Sequence, residues 1–346
     1  MTVIHLNEMN LAEQKIKENW RSPDIIVSIV CTAFNHESYI RDALNGFLSQ
    51  QTDFAFEVIV HDDASTDRTT EIIREYAIKY PSIIKPIYQE TNQYSQGINI
   101  GPKYIWPLVK GQFIALCEGD DYWIDSIKLQ KQVDALKYYE QCDICFHQSC
   151  CVTPDGRKRL INEIAKNPKI LTCKEVLMGT GGYMGTASIM YRTSVYLKYL
   201  DFLRDKQKPP IGDKIIQFLG SSRGGAVYLP MVGSVYRVRS KGSWTERYTT
   251  NLSFRQEFIP KRIELNEQMN SFSNYAYHKE FYLLNRKLLI NTFLDAQLSK
   301  EFKLNLSQNY KQYRKSSDSF LLVFLKLKRF LRSEIKNTLI WLGLYK

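Results

Sequence analysis

Three kinds of signal are missing from this chain, and each absence excludes a class of protein. The first 24 residues carry Glu8, Glu13 and Glu18 and no apolar core segment, so no secretory signal is expected and the protein is expected in the cytosol. No GxGxxG follows the first apolar run, and no Walker A pattern occurs, which excludes a dinucleotide cradle and a P-loop. No nucleic-acid-binding motif accompanies the basic residues, which are interleaved with Leu, Phe and Ile, so nucleic acid is not an expected partner. The seven cysteines are an odd number in a long chain, which argues against a disulfide framework. Cys142 and Cys145 have CxxC spacing, with His147, Cys150 and Cys151 close behind, but no second CxxC pair supplies the remaining ligands of a zinc site. The segment 143–148 also reads as extended, which turns alternate side chains to opposite faces.

What is present describes a globular protein with an ample core: 346 residues, 44% apolar, 24% charged and 13% aromatic. Net charge is +11, and from residue 251 onward 17 Lys and Arg face 8 Asp and Glu, so most of the excess lies in the last quarter. The charge sets the last quarter apart as a basic region. In the tail 320–346, Lys326, Arg329, Ser333 and Lys336 recur at helical spacing, opposite Phe324, Leu327, Leu331, Ile335 and Leu339. The longest apolar run of this tail, Phe320 to Leu325, is too short to span a bilayer. A cationic amphipathic helix of this kind lies on an anionic membrane surface, or docks on the protein's own core or a second subunit.

Apolar runs at 25–31, 56–60, 83–88 and 112–117 predict strands, and helical spacing of apolar residues predicts helices over 39–50, 67–80 and 128–140. This alternation predicts an α/β fold with a doubly wound, mostly parallel sheet. Further along, a strand is expected over 186–191 and a short helix over 214–219. In such sheets ligands bind beyond the carboxyl ends of the strands, so the residues after each strand carry the chemistry. Thr32, Ala33, Phe34 and Asn35 follow the first strand, Asp62 and Asp63 the second, and Glu118, Asp120 and Asp121 the fourth. Three acids this close repel one another, which suits a site for a divalent cation; a solvated turn capping the next helix is the plainer alternative. Ser65, Thr66 and Asp67 explain themselves as helix caps, whereas Asp62 and Asp63 suit hydrogen bonds to a base or a ribose. Glycines 179, 181, 182 and 185 suggest a mobile or close-approach loop, and residues 92–101 a second loop.

The segments Val27 to Asn35, His61 to Asp67 and Cys117 to Trp123 resemble glycosyltransferase family 2 in its bacterial, GT-A-fold members. Gly212-Asp213 and Tyr236 to Trp244 resemble later parts of the same pattern, so the likeness covers about residues 25 to 245. It implies a catalytic domain over 25–245 between an N-terminal extension over 1–24 and a basic helical region over 246–346, with the glycine-rich loop around 179–185 on the acceptor side and the loop over 92–101 on the donor side. The resemblance implies an enzyme moving a sugar from a nucleotide-diphospho-sugar, with a UDP-sugar favoured, to a glycan or lipid-linked glycan acceptor in cell-surface polysaccharide synthesis. It implies inversion, Mg²⁺ or Mn²⁺ held mainly by Asp120 with help from Asp121 or Glu118, and a nucleotide pocket lined by Thr32, Phe34, Asp62 and Asp63. It implies Asp213 as the general base, for which helix capping is the bland alternative. Two positions depart from the family pattern. Glu118 stands where Asp is usual, and Arg239 where His is common; an always-charged guanidinium cannot ligate a metal, so Arg239 is expected to clamp a phosphate beside Arg237. The rivals are a sugar nucleotidyltransferase, whose basic glycine-rich phosphate loop is missing, and a catalytically inactive nucleotide-binding relative that organises a synthesis complex.

Overall fold

The computed structural model describes residues 12–179, 184–204, 206, 208–240 and 242–314. It divides into two compact units, one ending at Arg247 and one beginning at Tyr248.

The first unit is built on a ten-stranded sheet. Its first half runs β1 (Ile25–Ala33), β2 (Ala55–Asp62), β3 (Ile84–Tyr88) and β4 (Phe113–Leu116), all parallel, in spatial order β3-β2-β1-β4. The helices between them are α1 (Ile40–Leu48) and α2 (Thr69–Lys79). Ile40, Ala43, Leu44 and Phe47 form the buried stripe of α1, and each fully buried large side chain contributes about 1.5–3 kcal/mol. Every residue of β2 is buried, as expected for a strand covered on both faces.

The second half is mixed. β5 (Tyr122–Trp123), α3 (Lys128–Tyr138) and β6 (Ile144–Val152) lead to the hairpin strand β7 (Lys158–Ile161) and to β8 (Lys169–Leu171). Next come α4 (Cys173–Met178), β9 (Met190–Arg192), α5 (Thr193–Leu203), α6 (Gly212–Ser221) and β10 (Ala226–Arg237). β9 inserts antiparallel between β4 and β6, and β10 runs parallel to β6 while pairing antiparallel with β5.

The expected strand over 186–191 is corrected. Residues Thr186–Ser188 form a turn of 3₁₀ helix, and the strand begins only at Met190. The turn brings the Ala187 carbonyl to the Trp123 indole N–H at 2.9 Å and the Ser188 carbonyl to Gln132 Nε2 at 2.8 Å, contacts that a straight strand would not make. The thiols of Cys142 and Cys145 donate to the carbonyls of Gly224 and Gln132.

Before β1, Trp20 packs edge-on against Phe56 at 5.4 Å, and Glu13 accepts from the backbone N–H groups of Ser82 and Ile83. The second unit holds α7 (Trp244–Thr250) from Tyr248 onward, and the helices α8 (Leu252–Phe272), α9 (His278–Leu294) and α10 (Lys300–Asn309), around Ile259, Ile263, Leu289, Leu298, Leu306 and Tyr313. The amphipathic tail expected over 320–346 lies outside the described residues. No helix among the described residues is long and apolar enough to cross a membrane.

Candidate active site

The connection from β1 passes to β2 on one side, while β4 lies on the other, so the sheet has its switch point between β1 and β4. Beyond that point sit Glu118, Asp120 and Asp121. One carboxylate oxygen from each lies within 4.8 Å of the others, the only such group of potential metal ligands among the described residues. The crowding is costly. Burial, then the charge of Asp120, hold the Asp121 carboxyl well above the usual range, although the Arg237 N–H opposes this. Glu118 is exposed as a residue, yet the protein around its carboxyl weakens hydration there. That loss, with the charges of Asp120 and Asp213, pushes its pKa up to about 8.

Three contacts hold the acids in place. The Arg237 backbone N–H donates to Asp121 Oδ1 at 2.8 Å, and its guanidinium donates to the Asp120 carbonyl at 2.8 Å. The same guanidinium pairs with Asp42 of α1 and lies over the rings of Tyr122 and Tyr39, at 4.3 and 5.1 Å. Ser240 Oγ donates to Asp120 Oδ2 at 2.5 Å. Gly119 allows the loop to approach the β1–α1 turn: a Cβ there would come within 2.8 Å of His36 Nδ1 and 3.2 Å of Ala33 Cβ.

The strand β10 ends at Arg237, so Arg239 lies beyond it, exposed, with φ at 61°. Arg237 and Arg239 therefore do not share a strand face. Arg237 is already engaged by carboxylate, carbonyl and rings, while Arg239 points its charge from a turn.

The loops after β1 and β2 are tied together. Asn35 Oδ1 accepts from Thr66 N at 2.8 Å, Asn35 N donates to Ser65 Oγ, and Glu37 N donates to Asp67 Oδ2. Asp62 uses one oxygen for Ser65 and the other for the Thr70 hydroxyl. Asp63 accepts the backbone N–H groups of Gln93 and Tyr94, at 2.8 and 2.9 Å, and so holds the loop over 92–101. Ala64, which follows Asp63, adopts φ of 61°, a left-handed conformation costing an L-residue about 1–2 kcal/mol. Phe34 is exposed beside this crossing, and the Thr32 carbonyl accepts from Gly119 N at 2.9 Å, joining the β1 loop to the acids.

Asp213 occupies the first turn of α6, where the N-cap residue Ile211 makes no side-chain cap. Its Oδ1 accepts from Lys214 N at 2.7 Å, and its charge acts on Glu118, which places it on the same crevice. The glycine-rich loop expected around 179–185 falls largely outside the described residues.

Several supporting residues carry no local sequence signal. Ser240 and Asp42 act on the acid loop from far along the chain. Lys128, fully buried at the start of α3, places Nζ 3.7 Å from the Trp123 ring centre and donates to Gln132 Oε1 at 2.7 Å. Burial lowers its pKa to about 7. Lys128, Gln132 and Trp123 together brace the turn at 186–188 against the strand that follows the acids.

Comparison with known proteins agrees with this layout. The model of glycosyl transferase family 2 matches residues 28–200. The uncharacterised protein Rv1520 of Mycobacterium tuberculosis is 36% identical over 228 residues, which span 66% of this chain and 63% of that protein. The dTDP-rhamnosyl transferase RfbG of Shigella flexneri is 23% identical over 310 residues, covering 86% of this chain and 99% of that one. Among solved structures, S. aureus TarS 1-349 in complex with UDP-GlcNAc shares the fold with a TM-score of 0.56 at 17% identity, covering 84% of this chain and 81% of that one. The chain belongs to glycosyl transferase family 2. The unit that carries the acid cluster is a glycosyltransferase domain of the GT-A fold.

Proposed function

We propose that the chain transfers a sugar from a nucleoside-diphosphate donor to an acceptor hydroxyl, with inversion and with help from Mg²⁺ or Mn²⁺. The observation that carries this reading is the convergence of Glu118, Asp120 and Asp121 within 4.8 Å at the switch point of the sheet, with Asp213 acting on Glu118 from the start of α6. The donor set fits a hard divalent cation, because all three groups are carboxylates and their mutual repulsion is what such a cation relieves. Asp120 and Asp121 would hold it, with Glu118 toward the donor. When bound, the cation neutralises charge that develops on the departing diphosphate.

The chain's own residues do the rest. Asp63 keeps free lone pairs after accepting two N–H groups, so it can bind the base or ribose while it anchors the loop of Tyr94. Asp62, with both oxygens occupied, shapes the turn that presents Asp63. Thr32 and Phe34 line the nucleoside side, and Arg239 supplies an exposed cation for phosphate. Arg237 positions the acid loop through its contacts to Asp120 and Asp121. Asp213 takes the proton from the acceptor hydroxyl as that oxygen attacks the anomeric carbon, a role worth roughly 10²–10⁴-fold in rate.

RfbG is named for a dTDP-sugar and TarS was solved with UDP-GlcNAc, which supports a pyrimidine nucleotide and favours a UDP-sugar here. A glycan or lipid-linked glycan acceptor in cell-surface polysaccharide synthesis, met at the inner face of a membrane through residues 320–346, completes the proposal. Catalysis belongs to residues 25–245. Release of nucleoside diphosphate across a panel of UDP- and dTDP-sugars with Mn²⁺, and its loss with chelator, tests the reading. Nucleotide binding without release from any donor would instead favour an inactive scaffold.

A further inference from the structure

The first turn of α6 carries Asp213, whose Oδ1 accepts from Lys214 N, and its N-cap residue Ile211 makes no side-chain cap. Directly against this turn lies Tyr199 of α5, only 2% exposed. Its hydroxyl is so close that a Cβ on Gly212 would come within 3.1 Å of it. Gly212 has no positive φ, so the glycine there answers to space and not to backbone conformation.

The ring of Tyr199 is itself held. Trp106 meets it edge-on at 4.8 Å and 82°, and meets Tyr196 of the same helix at 4.7 Å. Trp106 opens the short helical turn Trp106–Leu108, which directly follows the loop that Asp63 anchors and the turn Gly101–Ile105. Burial, the nearby Asn99 amide and the charge of Asp213 all act on the Tyr199 hydroxyl, and their balance raises its pKa to about 12, so it stays neutral.

We propose that Tyr199 is a positioning residue for Asp213: its hydroxyl is the stop against which Gly212 seats the first turn of α6, and Trp106 links that stop to the donor-side loop. The proposal rests on the reading of Asp213 as the base. A tyrosine that merely filled core would affect stability, while this one sets the distance between base and acceptor. Misplacement of a catalytic group by a fraction of an ångström costs rate far more than it costs affinity.

The test is a cycle of Tyr199→Phe, Gly212→Ala and the double variant, with Asp213→Asn alongside. Release of UDP from UDP-glucose or UDP-GlcNAc gives kcat and donor KM, and thermal unfolding reports the fold. Gly212→Ala should lower kcat about tenfold with donor KM within about twofold, because only a transition-state interaction is lost. Tyr199→Phe should lower kcat about threefold or more, and the double variant should recover most of what Gly212→Ala loses, since the clash is gone. A double variant no better than Gly212→Ala, or wild-type kcat in both single variants, would overturn the proposal. Should Gly212→Ala fail to fold, Tyr199→Phe decides alone: reduced kcat at unchanged melting temperature and donor KM supports it, and wild-type kcat overturns it. Wild-type turnover in Asp213→Asn would remove the underlying reading instead.

Discussion

Ser240 donates its hydroxyl to Asp120 Oδ2 at 2.5 Å, joining the turn after the last strand to the acid cluster after the fourth. Partners that orient a metal-binding carboxylate typically contribute 10–100-fold in metal affinity. Ser240→Ala should therefore raise the Mn²⁺ concentration for half-maximal activity about tenfold, with a stability loss near 1 kcal/mol. A titration of activity with Mn²⁺ checks this, and an unchanged midpoint would show that Ser240 only packs the loop.

The carboxylates Glu118 and Asp121 are held in less ionised states than usual, so without metal they oppose folding as pH rises. Their folded pKa values lie above the unfolded ones: the stability linked to Glu118 falls between about pH 4.5 and 8, and that linked to Asp121 falls in the same direction as pH rises. Asp121→Asn should raise the melting temperature of the metal-free protein at pH 8 while lowering transfer by about 100-fold or more. A variant that is both less stable and inactive would point to a structural role for Asp121.

Arg237 is partly buried and joins α1, the acid loop and two rings, whereas its partner Asp42 is half-exposed. Arg237→Met should cost about 1–3 kcal/mol and most activity, because it strands the Asp120 carbonyl and frees the acid loop. Asp42→Asn should cost less than about 1 kcal/mol, as exposed ion pairs do. Urea unfolding of both variants measures the difference.

His147 is fully buried, with Nδ1 facing the Gln148 carbonyl and Nε2 without a partner. Burial, then the charge of Lys128, lower its pKa to about 3. Because the folded value lies below the unfolded one, the unfolded chain takes up the proton first as pH falls. Stability from this site is full above about pH 6.5 and is lost toward pH 3, by about 2 kcal/mol at pH 5. His147→Gln should flatten the fall in unfolding free energy between pH 6.5 and 4; an unaltered slope would assign the acid sensitivity elsewhere.

The apolar runs and helical stripes of the first half were readable because each is local: a run covered on both faces, or a stripe every three to four residues. The strands at 55–62 and 113–116 and the helix at 40–48 lie where these patterns put them. The acids at 118–121 were visible for the same reason, as residues that end a strand. The bracing of the acids was not. Arg237 and Asp42 are 195 residues apart, and no local pattern encodes their pairing. The turn at 186–188 read as a strand because alternating small and apolar residues suit both; the tertiary contacts of Trp123 and Gln132 decide the matter. That Arg239 leaves the strand of Arg237 was not legible either, because no local pattern marks its left-handed φ beyond the end of β10.

In the proposed division of labour, the acids after β4 hold a cation on the donor diphosphate and Asp213 removes the acceptor's proton. Binding of UDP with Mn²⁺, measured by calorimetry beside sugar transfer in wild type, Asp120→Asn and Asp213→Asn, tests it most directly. Asp213→Asn should bind UDP and Mn²⁺ like wild type but transfer at least about 100-fold more slowly, while Asp120→Asn should lose both. Wild-type transfer by Asp213→Asn, or unchanged Mn²⁺-dependent binding by Asp120→Asn, would contradict it.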